Sequence, residues 1–169
     1  MQTDPAHSAQ WLTFRLDGSE YALPVAGVVE VLRMAALARV PEAPVWLAGI
    51  LNLRGQVIPI VDLRVRLGLS TRPVGLETPI IVAYAGKRAA GFIADEVSGV
   101  STLPPQALTY LDDLAGVDHP IAMVARVEGR LVLLLDHERI CDRARDFACW
   151  SERAAEMARE PEMVSPSGS

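Results

Sequence analysis

Two parts of this sequence repeat one another at nearly the same spacing. The segment GQVIPIVD at 55–62 returns as GRLVLLLD at 129–136, with the same leading glycine, apolar stretch and final aspartate. The pattern V-x-x-V occurs at 28–31 and again at 97–100, each time after a strand-like run. The two offsets, 74 and 69 residues, indicate one duplicated unit. A unit of this length is too long for a solenoid repeat, so the sequence predicts two similar subdomains.

Short apolar runs separated by turn residues predict that both subdomains are mainly antiparallel β. The hairpin turns are expected at DG 17–18, RG 54–55, GK 86–87 and EG 128–129. Each unit should therefore form a small barrel or sheet of about five strands. Pro59 cannot donate a ladder hydrogen bond, so its strand is expected at a sheet edge or with that position facing outward.

Two segments show helical spacing. Val25, Val28, Val29 and Leu32 fall at i, i+3, i+4 and i+7, which predicts a short helix after the second strand. A second helical pattern runs from about 137 to 160. The predicted organisation follows from these elements and from the polar ends of the chain: a disordered N-terminus at 1–10, a folded domain at 11–141, a C-terminal helix at 142–160 and a disordered tail at 161–169.

Composition limits the classes of function. The 169 residues are 50% hydrophobic, which is enough to bury a core. A formal charge of -5 argues against nucleic acid or an anionic membrane as partner, and favours proteins or small molecules. The first ten residues lack the features of a signal peptide, and no apolar run reaches membrane-spanning length, so we expect a cytoplasmic setting. Cys141 and Cys149 share the last helical pattern, about 12 Å apart, which is too far for a disulfide.

A group of donor side chains late in the sequence could bind a metal ion. The group consists of Asp112, Asp113, Asp118 and His119. Hard cations prefer oxygen ligands, but this segment also contains glycine and proline and has no recognised ligand spacing. A solvated acidic loop explains it better, and we expect neither a metal nor a cofactor.

Aspartates that follow strands could act in acid–base catalysis, yet capping explains them better. Asp62, Asp95 and Asp136 each come directly after an apolar run, where a carboxylate commonly accepts backbone N–H groups. A nucleophile with partners could be proposed from three residues near the start of the last helix: His137, Glu138 and Cys141. A structural helix accounts for these residues better, because no cleft or orienting group is evident. We expect no enzymatic activity, since no catalytic or phosphate-binding motif occurs.

The turn NLRG at 52–55 places a charge at the tip of an otherwise apolar hairpin. Gly55 can adopt positive φ at no steric cost, so Arg54 beside it is directed outward. Glu30, in the first predicted helix, could hold the Arg54 guanidinium in a bidentate pair. From these residues alone, solvation of a sheet edge and contact with a partner remain equally open for Arg54.

Four motifs in this order resemble the CheW family of chemotaxis coupling proteins, over roughly residues 11–141. They are EYALPVAGVVEV at 20–31, VPEAP at 40–44, GILNLRGQVIPIVDLR at 49–64 and GFIADEVSGV at 91–100. The resemblance implies a fold of two intertwined five-stranded SH3-like barrels. It also implies a non-catalytic adaptor that joins the cytoplasmic tips of chemoreceptors to the regulatory domain of a CheA-type histidine kinase.

The resemblance further implies which residues contact partners. Arg54 and Gly55 of the NLRG motif, together with Glu30, match positions associated with receptor and kinase coupling. The apolar positions that would line a groove for a receptor helix are Val28, Val31, Val97 and Val100. The sequence departs from the family at IAM 121–123, where a glycine is expected, and in its long C-terminal helix. Flagellar chemotaxis and another output such as twitching motility therefore stay open, and a small-molecule-binding barrel is the alternative from a different class.

Overall fold

The computed structural model describes residues 9–85, 87–111, 119–142 and 156. The first half contains β1 (Ala9–Leu16), β2 (Ser19–Pro24), a 3-10 turn (Val25–Gly27), β3 (Val28–Arg33), β4 (Leu47–Leu53), β5 (Gln56–Asp62) and α1 (Leu63–Arg66). The second half contains β6 (Pro79–Ala85), β7 (Arg88–Ile93), β8 (Glu96–Leu103), a 3-10 turn (Pro105–Ala107), β9 (Leu108–Tyr110), β10 (Ile121–Val127), β11 (Arg130–Leu135) and α2 (His137–Asp142). Both halves therefore run through strands to a short helix, as the repeat predicts.

The strands of the two halves are exchanged between two sheets. The six-stranded sheet has the order β8-β1-β2-β11-β10-β9, and the five-stranded sheet has the order β3-β6-β7-β5-β4. Each sheet thus takes a hairpin from one half and completes it with strands of the other half. When β1–β5 are matched to β6, β7, β8, β10 and β11, the two orders become the same, which confirms the predicted intertwining.

Each sheet curls because one chain segment supplies both of its edges. In the six-stranded sheet, β8 continues through a 3-10 turn into β9, which pairs with β10 at the opposite edge. In the five-stranded sheet, the chain beyond β3 returns to the opposite edge, where Ala38 and Ile50 exchange backbone hydrogen bonds of 3.0 and 2.9 Å. The sixth strand, β9, therefore corresponds to the Ala38 bridge of the other sheet and pairs over a longer stretch. Each subdomain is a five-stranded barrel with this closing segment added.

Three buried clusters fill the part of the protein that the structure describes. One cluster lies between the two sheets and includes Phe14, Tyr21 and Phe92. The six-stranded barrel encloses a second cluster around Trp11 and Leu134, and the five-stranded barrel encloses a third, which consists largely of isoleucine, leucine and valine. Alternate residues of a strand point to opposite faces, so each sheet supplies both its own barrel core and the cluster between the sheets.

The prediction that the strand of Pro59 lies at an edge, or that Pro59 faces outward, is wrong on both counts. β5 lies between β7 and β4, and Pro59 is buried opposite Ile50. In an antiparallel hairpin, hydrogen-bonded and non-bonded pairs alternate from the turn, which puts Pro59 in a non-bonded pair with its nitrogen directed away from β4. Pairing with β7 begins only at Ile60, so the missing N–H interrupts neither ladder.

The structure describes some of the predicted domain boundaries and not others. β1 begins at Ala9, two residues before the predicted start of the domain, because Ala9 and Gln10 pair with β8. At the other end, α2 covers 137–142 and Glu156 is also helical, while the remainder of 142–160, with Cys149, and the segments 1–8 and 161–169 lie outside the described residues. No helix within the described part of the chain is long and apolar enough to cross a membrane.

Candidate functional site

The hairpin turn between β4 and β5 is a two-residue turn with positive φ at both positions. Arg54 has φ 52° and Gly55 has φ 83°, the conformation that matches the twist of the flanking strands. The Asn52 side chain accepts a 3.0 Å hydrogen bond from the Gly55 amide and fixes the turn. The Arg54 side chain is consequently held at the tip, where 73% of its surface is exposed.

Arg54 pairs with Glu30 across the two edges of the five-stranded sheet. A guanidinium nitrogen of Arg54 donates a 2.8 Å hydrogen bond to Oε2 of Glu30, which raises the pKa of the Arg54 guanidinium. The pair uses this single hydrogen bond, so the predicted bidentate geometry is wrong. Glu30 Oε1 is enclosed and has no hydrogen-bond partner in the described part of the chain, whereas most of the Arg54 fork still faces solvent.

The four valines lie on the other face of the sheets, towards the cluster between the two barrels. Residues directly opposite one another in an antiparallel pair point to the same face. The residues opposite these valines all belong to the cluster between the sheets: Ala83 faces Val28, Ile81 faces Val31, Phe14 faces Val97 and Leu12 faces Val100. By the same reasoning Glu30, opposite Val82 of the five-stranded barrel core, points the other way.

The valines differ in exposure. Val28 and Val97 are half-buried and pack against the cluster between the sheets. Val31 and Val100 remain 42% and 57% exposed, on β3 and β8. These strands are the edge strands of their sheets and occupy equivalent places in the two halves. The structure therefore brings the inner pair together in one cluster and leaves the outer pair free to contact another molecule.

The helix predicted from Val25 to Leu32 is wrong, because the segment is a bulged strand. A 3-10 turn covers Val25–Gly27, and β3 follows with an irregularity at Val29. An extra residue in a strand shifts the alternation by one, so Val28 and Val31 share a face although they are three residues apart. β8 has its irregularity at Ser98, 69 residues later, and the same effect aligns Val97 with Val100.

The second half carries no copy of the Arg54–Glu30 pair. At the repeat offsets, Glu128 takes the place of Arg54 and Gly99 takes the place of Glu30. The backbone nevertheless repeats, since Glu128 and Gly129 have φ 50° and 77°. The turn therefore needs neither the arginine nor its carboxylate partner, which separates the pair from the requirements of the fold.

A buried arginine that the sequence reasoning missed connects the two halves. Arg64, with 2% of its side chain exposed, donates two 3.0 Å hydrogen bonds to the Asp62 carboxylate, one to Asp95 at 3.2 Å and one to the Arg72 carbonyl at 3.0 Å. The hydrogen bonds to Asp62 raise the pKa of the Arg64 guanidinium. Asp95 also accepts from the Asp17 amide at 2.8 Å. The D-x-R spacing of Asp62 and Arg64 at the end of β5 was the sequence pattern from which this ion pair could have been predicted.

Capping is confirmed for two of the three aspartates. Asp62 accepts from the Arg64 amide at 3.1 Å at the start of α1, and Asp136 accepts from the Arg139 amide at 3.3 Å at the start of α2. Asp95 instead bridges Arg64 and the β1–β2 turn, as described above. Asp62 and Asp95 thus both accept hydrogen bonds from the same guanidinium, that of Arg64.

The remaining candidate residues have structural surroundings where the structure describes them. The proposed ligands at 112–118 lie outside the described residues, and His119 Nδ1 accepts a 3.1 Å hydrogen bond from the Ile121 amide. Within the described ranges, no three His, Cys, Asp or Glu side chains are placed to hold a metal ion. Cys141 is buried in the cluster between the sheets, and His137 packs beside Gly27, where a β-carbon would come within 2.8 Å of the ring.

Comparisons with known proteins agree with this geometry. A family model for the CheW-like domain matches residues 10–145. Chemotaxis protein CheW of Helicobacter pylori is 32% identical over 140 residues, which cover 82% of this chain and 85% of that protein. Protein FrzA of Myxococcus xanthus is 28% identical over 142 residues, which cover 82% and 89%. The crystal structure of scaffolding protein TtCheW from Thermoanaerobacter tengcongensis has the same fold, with a TM-score of 0.74, 24% identity and coverage of 80% and 94%. The chain belongs to the CheW family.

Proposed function

We propose that this protein is a non-catalytic adaptor that couples the cytoplasmic tips of chemoreceptors to a CheA-type histidine kinase. The observation that carries the proposal is the use of both faces of β3. Val31 is exposed on the face of the cluster between the barrels, while Glu30 points to the opposite face and orients Arg54. One rigid strand thereby presents two chemically different surfaces, as a protein that joins two partners requires.

The valine surface suits the receptor. A receptor tip is helical, and a helix gains binding energy by placing an apolar stripe against exposed apolar side chains. Val31 and Val100 supply such side chains, and the packed inner valines Val28 and Val97 keep the backbone beneath them rigid. We assign the receptor helix to this surface.

The Arg54 turn suits the kinase. Arg54 holds one hydrogen bond to Glu30 and keeps further N–H donors in solvent, ready for a carboxylate or carbonyl of a second protein. The family resemblance implies that the regulatory domain of the kinase is itself CheW-like, so we assign this domain to the Arg54 turn and not to the helix-binding surface. Two modest contacts of this kind gain strength in an array, where each binding event raises the effective concentration for the next.

Isothermal titration with two purified partners from the same cell tests the assignment: the kinase regulatory domain and a receptor tip fragment. Arg54→Glu should weaken kinase binding at least tenfold through repulsion from Glu30 and the partner's carboxylates, and leave receptor binding within about twofold. Val31→Asp combined with Val100→Asp should do the reverse, because a charge at an apolar contact must be desolvated.

Arg130→Glu is the matched control. Arg130 follows the corresponding turn of the other sheet and forms an exposed pair with Glu20 at 3.3 Å. Neither affinity should change with this substitution. Failure of the unmodified protein to bind either partner at high micromolar concentration rejects the adaptor function and leaves a small-molecule ligand to be sought.

The departure from the family pattern at residues 121–123 keeps a second output open. The same adaptor role can serve a chemosensory system that does not control flagella. Deletion of the gene followed by swimming and surface-motility assays separates the two outputs, because loss of only one behaviour identifies the system in which the adaptor acts.

A further inference from the structure

The short helices α1 and α2 occupy equivalent places in the two halves, and each reaches the edge strand of the other half. In the first half, α1 follows β5, and its Arg64 donates a 3.2 Å hydrogen bond to Asp95, one residue before β8 begins. In the second half, α2 follows β11, and its His137 lies against Gly27, one residue before β3 begins. β8 and β3 are the edge strands that carry the two exposed outer valines. The chain that leads into each edge strand is therefore in contact with a helix of the opposite half.

The two contacts differ in their chemistry. At the repeat offset of 69 residues, Ala26 takes the place of Asp95, so an ion pair like that of Arg64 cannot form in the second half. An imidazole packed on a glycine takes its place. Three ring atoms of His137 lie 2.8 to 3.5 Å from the position that a β-carbon on Gly27 would occupy. The ring can approach this closely only because the glycine has no side chain.

The helix that carries His137 is itself held in place. The Asp136 amide donates a 2.9 Å hydrogen bond to the Pro120 carbonyl, and Arg66 Nε donates one of 3.1 Å to the Ile140 carbonyl. Ile140 is buried in the cluster between the sheets. These contacts fix the backbone of α2 on either side of His137. The ring is therefore a fixed point against which the turn before β3 packs.

The start of β3 is held by its ladder at a single pair. Pairing with β6 is regular over 30–33, but the irregularity at Val29 separates Val28, which is paired with Ala83, from that regular stretch. The Val28 amide donates to the Val25 carbonyl within the 3-10 turn. A strand that enters its sheet in this way gains order from a contact outside the sheet, and the His137 ring supplies one.

We infer that His137 is a positioning residue: packed on Gly27, it holds the start of β3 in the conformation in which Val28 and Val31 form the receptor surface. The inference rests on the proposed function and deepens it, because receptor affinity then depends on a residue that needs no contact with the receptor. Without the His137 contact the start of β3 becomes mobile. Binding of the receptor helix must then order it, and that ordering costs affinity.

The kinase surface should not share this dependence. Glu30, which orients Arg54, is paired with Val82 beyond the irregularity, in the regular part of the ladder. Loss of the His137 contact should therefore separate the two proposed surfaces, with receptor binding weakened and kinase binding retained. A role of His137 in overall stability would instead weaken both.

The test removes the contact from each side. His137→Ala deletes the ring, whereas Gly27→Ala adds a methyl group that displaces it, since the ring is the end of a side chain and moves more easily than backbone. In isothermal titration, each variant of the full-length protein should bind a purified receptor tip fragment about fivefold more weakly and the kinase regulatory domain within about twofold of the unmodified protein. The double variant should show the same loss as either single variant, because both changes remove one contact.

Two controls and an exchange measurement accompany the titrations. His137→Phe keeps a planar ring at this place and should bind the receptor fragment as the unmodified protein does. Gly75→Ala is the matched control for the added methyl group, since a β-carbon there meets open space, and it should change neither affinity. Amide hydrogen exchange at Val28 should accelerate in His137→Ala and Gly27→Ala, and stay unchanged over 30–33.

The outcomes separate this inference from the adaptor function. If the unmodified protein binds both partners and the single variants bind them equally well, His137 does not position β3, although the adaptor function stands. A loss of about 25-fold in the double variant would reveal two independent effects and overturn the inference as well. Equal losses of receptor and kinase binding with a lower melting temperature would reject positioning in favour of general stability. If the unmodified protein binds neither partner, the adaptor function fails and the inference falls with it.

Discussion

At the scale of single residues, Arg64 and Arg54 show what burial does to the same side chain. Arg64 is enclosed, and it donates four side-chain hydrogen bonds to Asp62, Asp95 and the Arg72 carbonyl. A buried guanidinium must be compensated in this way, because its desolvation is costly. Arg54 is exposed and donates one. Its remaining N–H donors keep their hydrogen bonds to water and carry no desolvation cost, so they are available to another molecule.

Replacing Arg64 by methionine should destabilise the protein by about 3 kcal/mol, because Asp62 and Asp95 would stay buried without their shared cation. Chemical denaturation followed by tryptophan fluorescence measures the loss. Arg130→Met removes an exposed ion pair and should cost less than about 1 kcal/mol. Equal losses in the two variants would show that the Arg64 network contributes no more than a surface pair.

At the scale of elements, turn chemistry was predictable and strand irregularity was not. The hairpins at Asp17–Gly18, Arg54–Gly55 and Glu128–Gly129 follow from local sequence, because a glycine at the second position of such a turn is a local requirement. The bulge at Val29 depends on pairing with β6, which is distant in the sequence. Its effect on valine spacing imitates the period of a helix, and this is why the sequence predicted one. The hydrogen-bond network of Arg64 was not predicted for the same reason, since Asp95 lies 31 residues away in the sequence.

Closure of the five-stranded barrel depends on Gly49. A β-carbon at Gly49 would come within 2.7 Å of the Ala38 carbonyl oxygen, and that carbonyl accepts the Ile50 amide. Gly49→Ala should therefore displace the Ala38 bridge and cost about 1–3 kcal/mol. Amide hydrogen exchange at Ala38 and Ile50 should accelerate more than elsewhere. Gly75→Ala, where the added carbon meets open space, should leave both stability and exchange unchanged. A uniform acceleration across the protein would instead place Gly49 in the general core.

At the scale of the whole molecule, the exchange of strands makes the two halves one folding unit. Four strand pairs join the halves: β1 with β8, β2 with β11, β3 with β6 and β5 with β7. The cluster between the sheets also draws on both halves, with Phe14 from the first and Phe92 from the second. If either half left, the other would lose the backbone hydrogen bonds of these four pairs. Because β3 and β8 are each anchored to a strand of the opposite half, this architecture would hold the two proposed docking surfaces in fixed geometry.

Cutting the connection between the halves tests this unity. The chain from 70 to 77 is exposed throughout and joins α1 to β6. A protease site inserted between Val74 and Gly75 leaves the Arg72 carbonyl bonded to Arg64. After cleavage, the two fragments should elute together in size-exclusion chromatography and separate only in denaturant, since every sheet contains strands of both. The cut protein should also keep its affinity for the kinase regulatory domain. Separation of the fragments in native buffer would mean that the exchanged strands do not hold the halves together, and that the connecting chain itself maintains the geometry of the two surfaces.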